Sequence, residues 1–354
     1  IQVLVDLVPN HTSWEHPWFR AALATPRGSS ERGRYHFLDG RGDHGELPPN
    51  DWQSIFGGSA WTRVDDGQWY LHLFDESQPD VNWDNPDVAD EFDSVMRFWL
   101  DRGVAGFRID VAHGLAKETG YPDAGLAVND GYGKVEPLPY LDRDEIHPIV
   151  RRWRRVLDEY DDRMMVAEAW VHASRRPLYL RPDEYHQAFD FDLLTAPWDA
   201  TAFERIIVDS VRAAREVGSN PTWVLSNHDV VRHATRYGLP ADVDSRAWLL
   251  DGPHEALDVE RGARRARAAA MITLGLPGSA YVYQGDELAL PEVWDLPTDV
   301  LQDPVWHDSG HTKKGRDGCR VPIPWEPNGP SYGFGDGPGW LPQPGSFATL
   351  AASV

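Results

Sequence analysis

The sequence predicts an α/β fold whose parallel strands are spaced like those of a (β/α)8 barrel. Three observations carry this reading. Short apolar runs end in polar or charged clusters, stretches of helical periodicity separate them, and the intervals between the polar tips can be read as barrel units with a long loop and one insertion. A barrel of about 250 residues allots roughly 31 to each unit. Glu168 and Asp229 lie 61 positions apart, two units, with another apolar run between them. Asp110 and Glu168 lie 58 apart, one unit plus a long loop. Asp6 and Asp110 lie 104 apart, one unit plus an insertion of roughly 70 residues.

In chain order, IQVLVDLV (1–8) is a continuous apolar run broken by one Asp, which suits a strand buried on both faces. It carries no initiator methionine, basic n-region or small-residue cleavage site, so it does not read as a signal peptide. A domain rarely starts in mid-sheet, so the natural N-terminus is expected to lie further upstream. Residues 12–85 are rich in Gly, Trp, Asp and Pro and read as an inserted irregular subdomain with a hairpin, leaving 1–11 and 86–354 to the barrel. Segment 85–103 opens on an Asn-Pro cap signal and stops at Gly103, a helix signature. Segments 142–160 and 259–275 have the same periodicity. Further strands are predicted at 103–111, 164–170, 188–194 (the weakest), 222–229 and 279–287, six in all, and the tail from about 300 reads as loop.

Composition narrows the function. With 354 residues, length alone gives a soft prior of two domains, though barrels exceed it as one unit. Hydrophobic residues at 41% and charged residues at 25% are ordinary for a globular chain, which excludes wholesale disorder. The net charge of −22 repels phosphate backbones and anionic lipids, so no nucleic-acid or membrane partner is expected. No apolar run is long enough to span a bilayer. A lone Cys319 excludes an internal disulfide and a Cys-cluster metal site, and it permits the reducing cytoplasm.

In parallel α/β folds chemistry gathers at the C-terminal ends of the strands. Three carboxylates stand at three such ends: Asp110, Glu168 and Asp229. Any one alone reads as a cap or turn residue. A barrel would bring all three around one mouth. Arg108 and Asp110, two apart on a strand, face the same way, and a guanidinium that close favours the ionised carboxylate a nucleophile needs. Glu168 sits between Ala167 and Ala169 with Trp170 close by, an apolar wall that favours a protonated acid. Two carboxylates biased to opposite protonation states, about 5–5.5 Å apart, are what retaining glycoside hydrolysis requires. Most of the 16 Trp, 12 Tyr and 12 Phe serve the core, but Trp52, Trp61 and Trp69 of the insertion are candidates for a sugar-stacking rim.

VDLVPNHTS, GFRIDVAHG, VAEAW and VLSNHDVVR resemble, in order, four motifs of the α-amylase superfamily, glycoside hydrolase family thirteen. HPWF, YQGDELALPEV and RDGCRVPIPW resemble its α-glucosidase and oligo-1,6-glucosidase branch. The resemblance spans about residues 1–325. It implies a catalytic (β/α)8 barrel in which Asp6 lies on strand three, strands three to eight are present and a subdomain follows strand three. It further implies Asp110 as nucleophile, Glu168 as general acid/base and Asp229 as the third carboxylate. His11, Arg108, His228 and Arg320 resemble the residues that hold the cleaved glucosyl unit, and Val111 resembles the choice of enzymes that favour α-1,6 bonds. The family's strand-two motif, its calcium-like loop after strand one and its C-terminal β domain have no counterpart here. No cofactor or metal site is therefore expected within residues 1–354; a structural calcium would belong to the segment upstream. The isolated chain is expected to aggregate or to be poorly expressed, which a monodisperse, cooperatively melting sample would contradict.

The resemblance implies a retaining exo-acting α-glucosidase acting on short oligosaccharides. Two other classes compete: a glucosyl-transferring or isomerising relative (trehalose synthase or sucrose isomerase type), and a non-catalytic transporter-associated homologue. The last should lack a catalytic acid, and all three are present. Weaker signals take bland readings. Arg41-Gly42-Asp43 is a loop, His307 and His311 have HxxxH spacing but the Asp-Ser-Gly between them argues loop rather than a helix-borne metal pair, and 131–136 lacks the spacing of a phosphate-binding loop. Cys319 reads as a packed thiol, and 260–268 as a solvated basic helix face.

Overall fold

The computed structural model describes residues 1–125, 137–251 and 256–354, so segment 131–136 lies outside the described residues. The chain forms two compact units: Ile1–Phe189 with Ala213–Ser219, and Asp190–Arg212 with Asn220–Val354.

The first unit is built on four parallel strands: β1 (Leu4–Leu7), β5 (Gly106–Ile109), β6 (Met164–Ala167) and β7 (Gln187–Ala188), in that spatial order. Between β1 and β5 in sequence lie β2 (Phe37–Asp39), β3 (Trp61–Arg63) and β4 (Gln68–Leu71), an antiparallel sheet with β4 in the centre and a β3–β4 hairpin. On β5, Phe107 and Ile109 are fully buried on one face and Arg108 points to the other. Each buried ring or chain of that size contributes about 1.5–3 kcal/mol. Gly106 is required where it stands: its φ is +144°, and a Cβ would lie 1.8 Å from the Met164 carbonyl oxygen. Only β5 pairs with β1 among the described residues, and Val5 is half-buried and Asp6 exposed. The first strand is thus not covered on both faces as its apolar run predicts.

Helices α1 (Pro17–Ala24), α2 (Pro86–Leu100) and α3 (Ile146–Leu157) pack in this unit. The Asn85 side chain caps α2 by accepting from the Asp87 N–H at 3.0 Å, with Pro86 in the first turn. Val88, Phe92, Met96 and Leu100, four residues apart, turn inward. The helix predicted from 142 begins at Ile146 because Asp142 takes a left-handed φ of 56° and its carboxylate accepts from Tyr179 Oη at 2.7 Å. Trp52 and Trp61 are 1% and 2% exposed and form the core of the inserted segment with Leu71, Leu73 and Tyr140. They are not rim residues. Their indole N–H groups are satisfied inside, by the Pro122 carbonyl and Asn50 Oδ1, as buried indoles require. Trp69 is partly exposed and donates to the Gly45 carbonyl.

In the second unit β8 (Thr222–Val224) pairs in parallel with β9 (Ser279–Tyr281). The predicted strand at 188–194 is a two-residue strand followed by a helix, Phe191–Thr195. Asp190 decides this: its carboxylate accepts from the Asp192 and Leu193 N–H groups and caps that helix. The helix Val259–Gly275 has the predicted bounds and is capped by Asp258, which accepts from the Arg261 N–H at 2.8 Å. Its basic face is only partly solvated, since Arg261 and Arg265 donate to the Gly238 and Tyr237 carbonyls. The tail is held by its own apolar cluster, which includes Leu290, Val321, Ile323, Leu341 and Phe347. No helix of the described residues is long and apolar enough to cross a membrane.

Candidate active site

In the first unit the ladder of β5 runs one residue past its end. Asp110 N–H donates to the Leu7 carbonyl at 2.9 Å, and Glu168 N–H donates to the Ile109 carbonyl at 3.0 Å. Ile109 and Ala167 are register partners, so Asp110 and Glu168 leave adjacent strands side by side, at the roughly 5 Å spacing of a parallel ladder. Arg108 Nη1 donates to Asp110 Oδ1 at 2.6 Å and lies 2.9 Å from Asp6 Oδ1, while Nη2 lies 3.7 Å from Glu168 Oε2. Burial works against the guanidinium's charge, but Glu168, Asp110 and Asp6 outweigh it and hold the group charged. Arg108 therefore orients Asp110 and places its positive charge beside Glu168.

Glu168 is the more enclosed acid, its side chain 8% exposed against 20% for Asp110. Both of its oxygens are held: Oε1 accepts from Trp170 Nε1 at 2.6 Å and Oε2 from the Val111 N–H at 2.8 Å. Trp170 thus meets Glu168 through its polar edge rather than as the apolar wall its position predicts. Val111 has a φ of +45°, which costs a β-branched residue about 1–3 kcal/mol. That turn, directly after Asp110, brings its N–H to the Glu168 carboxylate.

Beside this pair, His11 is buried, with Nε2 3.0 Å from Gln78 Nε2 and its ring 5.2 Å from that of Phe74. Burial depresses its pKa and Lys117 adds to that, while Asp80 and Asp110 oppose it. Lys117 fills a buried oxygen cage: Nζ lies 2.9 Å from Asp80 Oδ2 and 3.2 Å from Asn10 Oδ1, and it also donates to the Gly114 carbonyl. Sequence reasoning missed Lys117. Its only signal was a lysine seven residues after Asp110 on an apolar stretch.

In the second unit Asp229 N–H donates to Asn227 Oδ1 at 2.8 Å, an Asx-type turn that sets its backbone. Arg316 Nη1 lies 2.6 Å and Arg320 Nη2 3.3 Å from Asp229 Oδ1, while His228 Nε2 lies 3.3 Å from Oδ2. Arg320 Nε also donates to the His228 carbonyl at 2.9 Å. The sequence points to Arg320 of the RDGCR segment; Arg316, four residues earlier, makes the shorter contact. Of the predicted residues, His11, Arg108, Asp110 and Glu168 gather in the first unit, and His228, Asp229 and Arg320 in the second. The acids at the tip of 279–287 are turn residues: Asp286 accepts from the Tyr283 N–H and Glu287 from the Gly285 N–H. Burial pushes the Cys319 thiol up, and it donates to the Arg316 carbonyl, a packed group rather than a nucleophile. Among the described residues no group of three or more His, Cys, Asp or Glu is arranged to hold a metal ion.

The family model described as the alpha amylase catalytic domain matches residues 1–353. The chain belongs to the α-amylase catalytic-domain family. Its fold class is the (β/α)8 barrel that its sequence predicts. It is 36% identical to a probable alpha-glucosidase of Rhizobium meliloti (strain 1021), over all of this chain and 63% of that protein. It is 29% identical to an oligo-1,6-glucosidase of Parageobacillus thermoglucosidasius, over 97% of this chain and 62% of that one. Among solved structures, the alpha-glucosyl transfer enzyme XgtA superposes with a TM-score of 0.82 at 32% identity, covering 100% of this chain and 64% of its own. The chain thus spans just under two thirds of the length of these relatives.

Proposed function

We propose that the full-length protein is a retaining, exo-acting α-glucosidase that removes terminal α-1,4- or α-1,6-linked glucose from short oligosaccharides. The observation that carries this reading is the Asp110–Arg108–Glu168 arrangement: two carboxylates at the ends of adjacent parallel strands, with one guanidinium bonded to the first and within ion-pair distance of the second. The more open Asp110 attacks the anomeric carbon while Glu168 protonates the glycosidic oxygen, giving a covalent β-glucosyl ester. Glu168, now a base, takes a proton from water, which displaces Asp110 and leaves glucose with its α configuration. Asp229 serves as the third carboxylate, stabilising the distorted sugar ring, and His11, Arg108, His228 and Arg320 hold the glucosyl unit. The chemistry needs water and these side chains, with no cofactor and no macromolecular partner. We propose a cytoplasmic location, which the lone cysteine of residues 1–354 permits.

A sugar hydroxyl in place of water would give glucosyl transfer. The likeness to an alpha-glucosyl transfer enzyme keeps this second reading open. Product analysis on maltose, isomaltose, sucrose and trehalose separates the two. Both halves of maltose or isomaltose released as glucose, the newly cut one first as the α anomer, support hydrolysis, whereas a new linkage with only the leaving half set free supports transfer. An Asp110→Asn variant is expected to lose turnover while keeping its fold; activity within a few-fold of the parent would remove Asp110 from its role.

A further inference from the structure

We propose that Asp303 is a positioning residue that aims Asp229 through Arg316, an assignment that rests on Asp229 acting as the third carboxylate. Asp303 is 1% exposed and carries its charge inside the protein. Burial opposes that charge, but the Arg316 guanidinium outweighs it and holds the carboxyl below the usual range. Its Oδ2 accepts from Arg316 Nε at 2.6 Å and from the Arg316 N–H at 3.2 Å, so side chain and main chain of one arginine are gripped together. Arg320 Nη1 lies 3.9 Å from the same oxygen. The other oxygen, Oδ1, accepts from the Val305 N–H at 2.9 Å, which leaves the carboxylate little freedom to turn.

The surroundings are built around this group. Asp317 Oδ2 accepts from the Gln302 and Asp303 N–H groups at 2.9 and 3.0 Å, pinning the backbone that carries Asp303. Residue 315 is glycine, and a Cβ there would lie 2.3 Å from Asp303 Cγ. Arg316, its Nε fixed inward, presents Nη1 to Asp229 Oδ1 at 2.6 Å. The direction of the series is set by exposure: the side chains of Asp303, Arg316 and Asp229 are 0%, 26% and 24% exposed. An arginine on a partly open surface would otherwise sample many rotamers; a buried anion on Nε selects one. An interaction that only aims a transition-state group shows in kcat rather than in substrate affinity.

The test is made in the full-length protein with 4-nitrophenyl α-D-glucoside, using Asp303→Asn, Arg316→Gln, the double variant and Asp229→Asn, each also melted. Asn keeps the acceptor for the Val305 N–H and removes the charge. Asp303→Asn is expected to lower kcat by about tenfold or more with KM within about threefold. The double variant should be no slower than Arg316→Gln alone, because both act through one contact. Single losses that multiply in the double variant, or a folded Asp303→Asn within twofold of the parent kcat, would overturn the proposal. If Asp303→Asn does not fold, Arg316→Lys decides: one ammonium cannot reach both carboxylates, so a similar kcat loss supports the assignment and an unchanged kcat refutes it. Asp229→Asn separates the two claims. If it retains activity, the third-carboxylate reading fails and this proposal with it; if it is inactive while Asp303→Asn is silent, the proposal alone fails.

Discussion

Replacing Lys117 with methionine tests whether the oxygen cage beside the catalytic strands is held by charge. The Lys117 and Asp80 side chains are 2% and 0% exposed and 2.9 Å apart, so the change leaves a carboxylate buried with no counter-charge. Breaking a buried pair by removing one partner costs about 3–5 kcal/mol. For a unit of about 200 residues, at roughly 2–4 °C per kcal/mol, the melting point should fall by about 6–20 °C. The double change Asp80→Asn with Lys117→Met removes both charges and keeps an oxygen for the Leu73 N–H, which donates to Asp80 Oδ1 at 2.9 Å. It should recover more than half of the loss. Calorimetry at low and high salt is the assay, and because a buried pair is screened little, the loss should persist at high salt. A single variant melting within about 2 °C of the parent, or a double variant no better than the single, would show that the cage is not held by charge.

Acid should weaken the first unit through its buried histidines. Burial lowers the pKa of His36 from 6.5 to about 3, so the folded form binds fewer protons than the unfolded one between those values. Stability contributed there is present above pH 6.5 and is lost as pH falls towards 3; His36→Gln should reduce proton uptake on unfolding at pH 5 by about one. An unchanged uptake would contradict the burial. Gly106→Ala should cost several kcal/mol, about the upper range for single changes, because a Cβ would meet the Met164 carbonyl oxygen at 1.8 Å; a variant with parental urea stability would show that the β5–β6 pairing is looser than described.

Much of this was legible from local pattern. The Asn85–Pro86 cap, the bounds of the helix 259–275 and the shared face of Arg108 and Asp110 follow from periodicity and side-chain direction. What was not legible depended on distant partners. Leu193 and Leu194 read equally well as strand, and only the hydrogen bonds of Asp190 make the segment a helix. Trp52 and Trp61 look like rim residues until their packing against Leu138, Tyr140 and Leu141, more than 70 positions away in sequence, is seen. Lys117 meets Asp80 and Asn10 across 37 and 107 positions, a pairing that no spacing rule reaches. Arg316 and Arg320 stand four apart in one segment, and nothing local says that the first also binds Asp303.

If Asp110 is the nucleophile, its carboxylate forms the covalent bond to glucose. Incubating the full-length protein with a slow-turnover fluoroglucosyl fluoride, digesting it and sequencing the labelled peptide by mass spectrometry tests this most directly. One added fluoroglucosyl group per chain is expected, on Asp110. A label on another carboxylate, or full inactivation with no label on the peptide that carries Asp110, would contradict it.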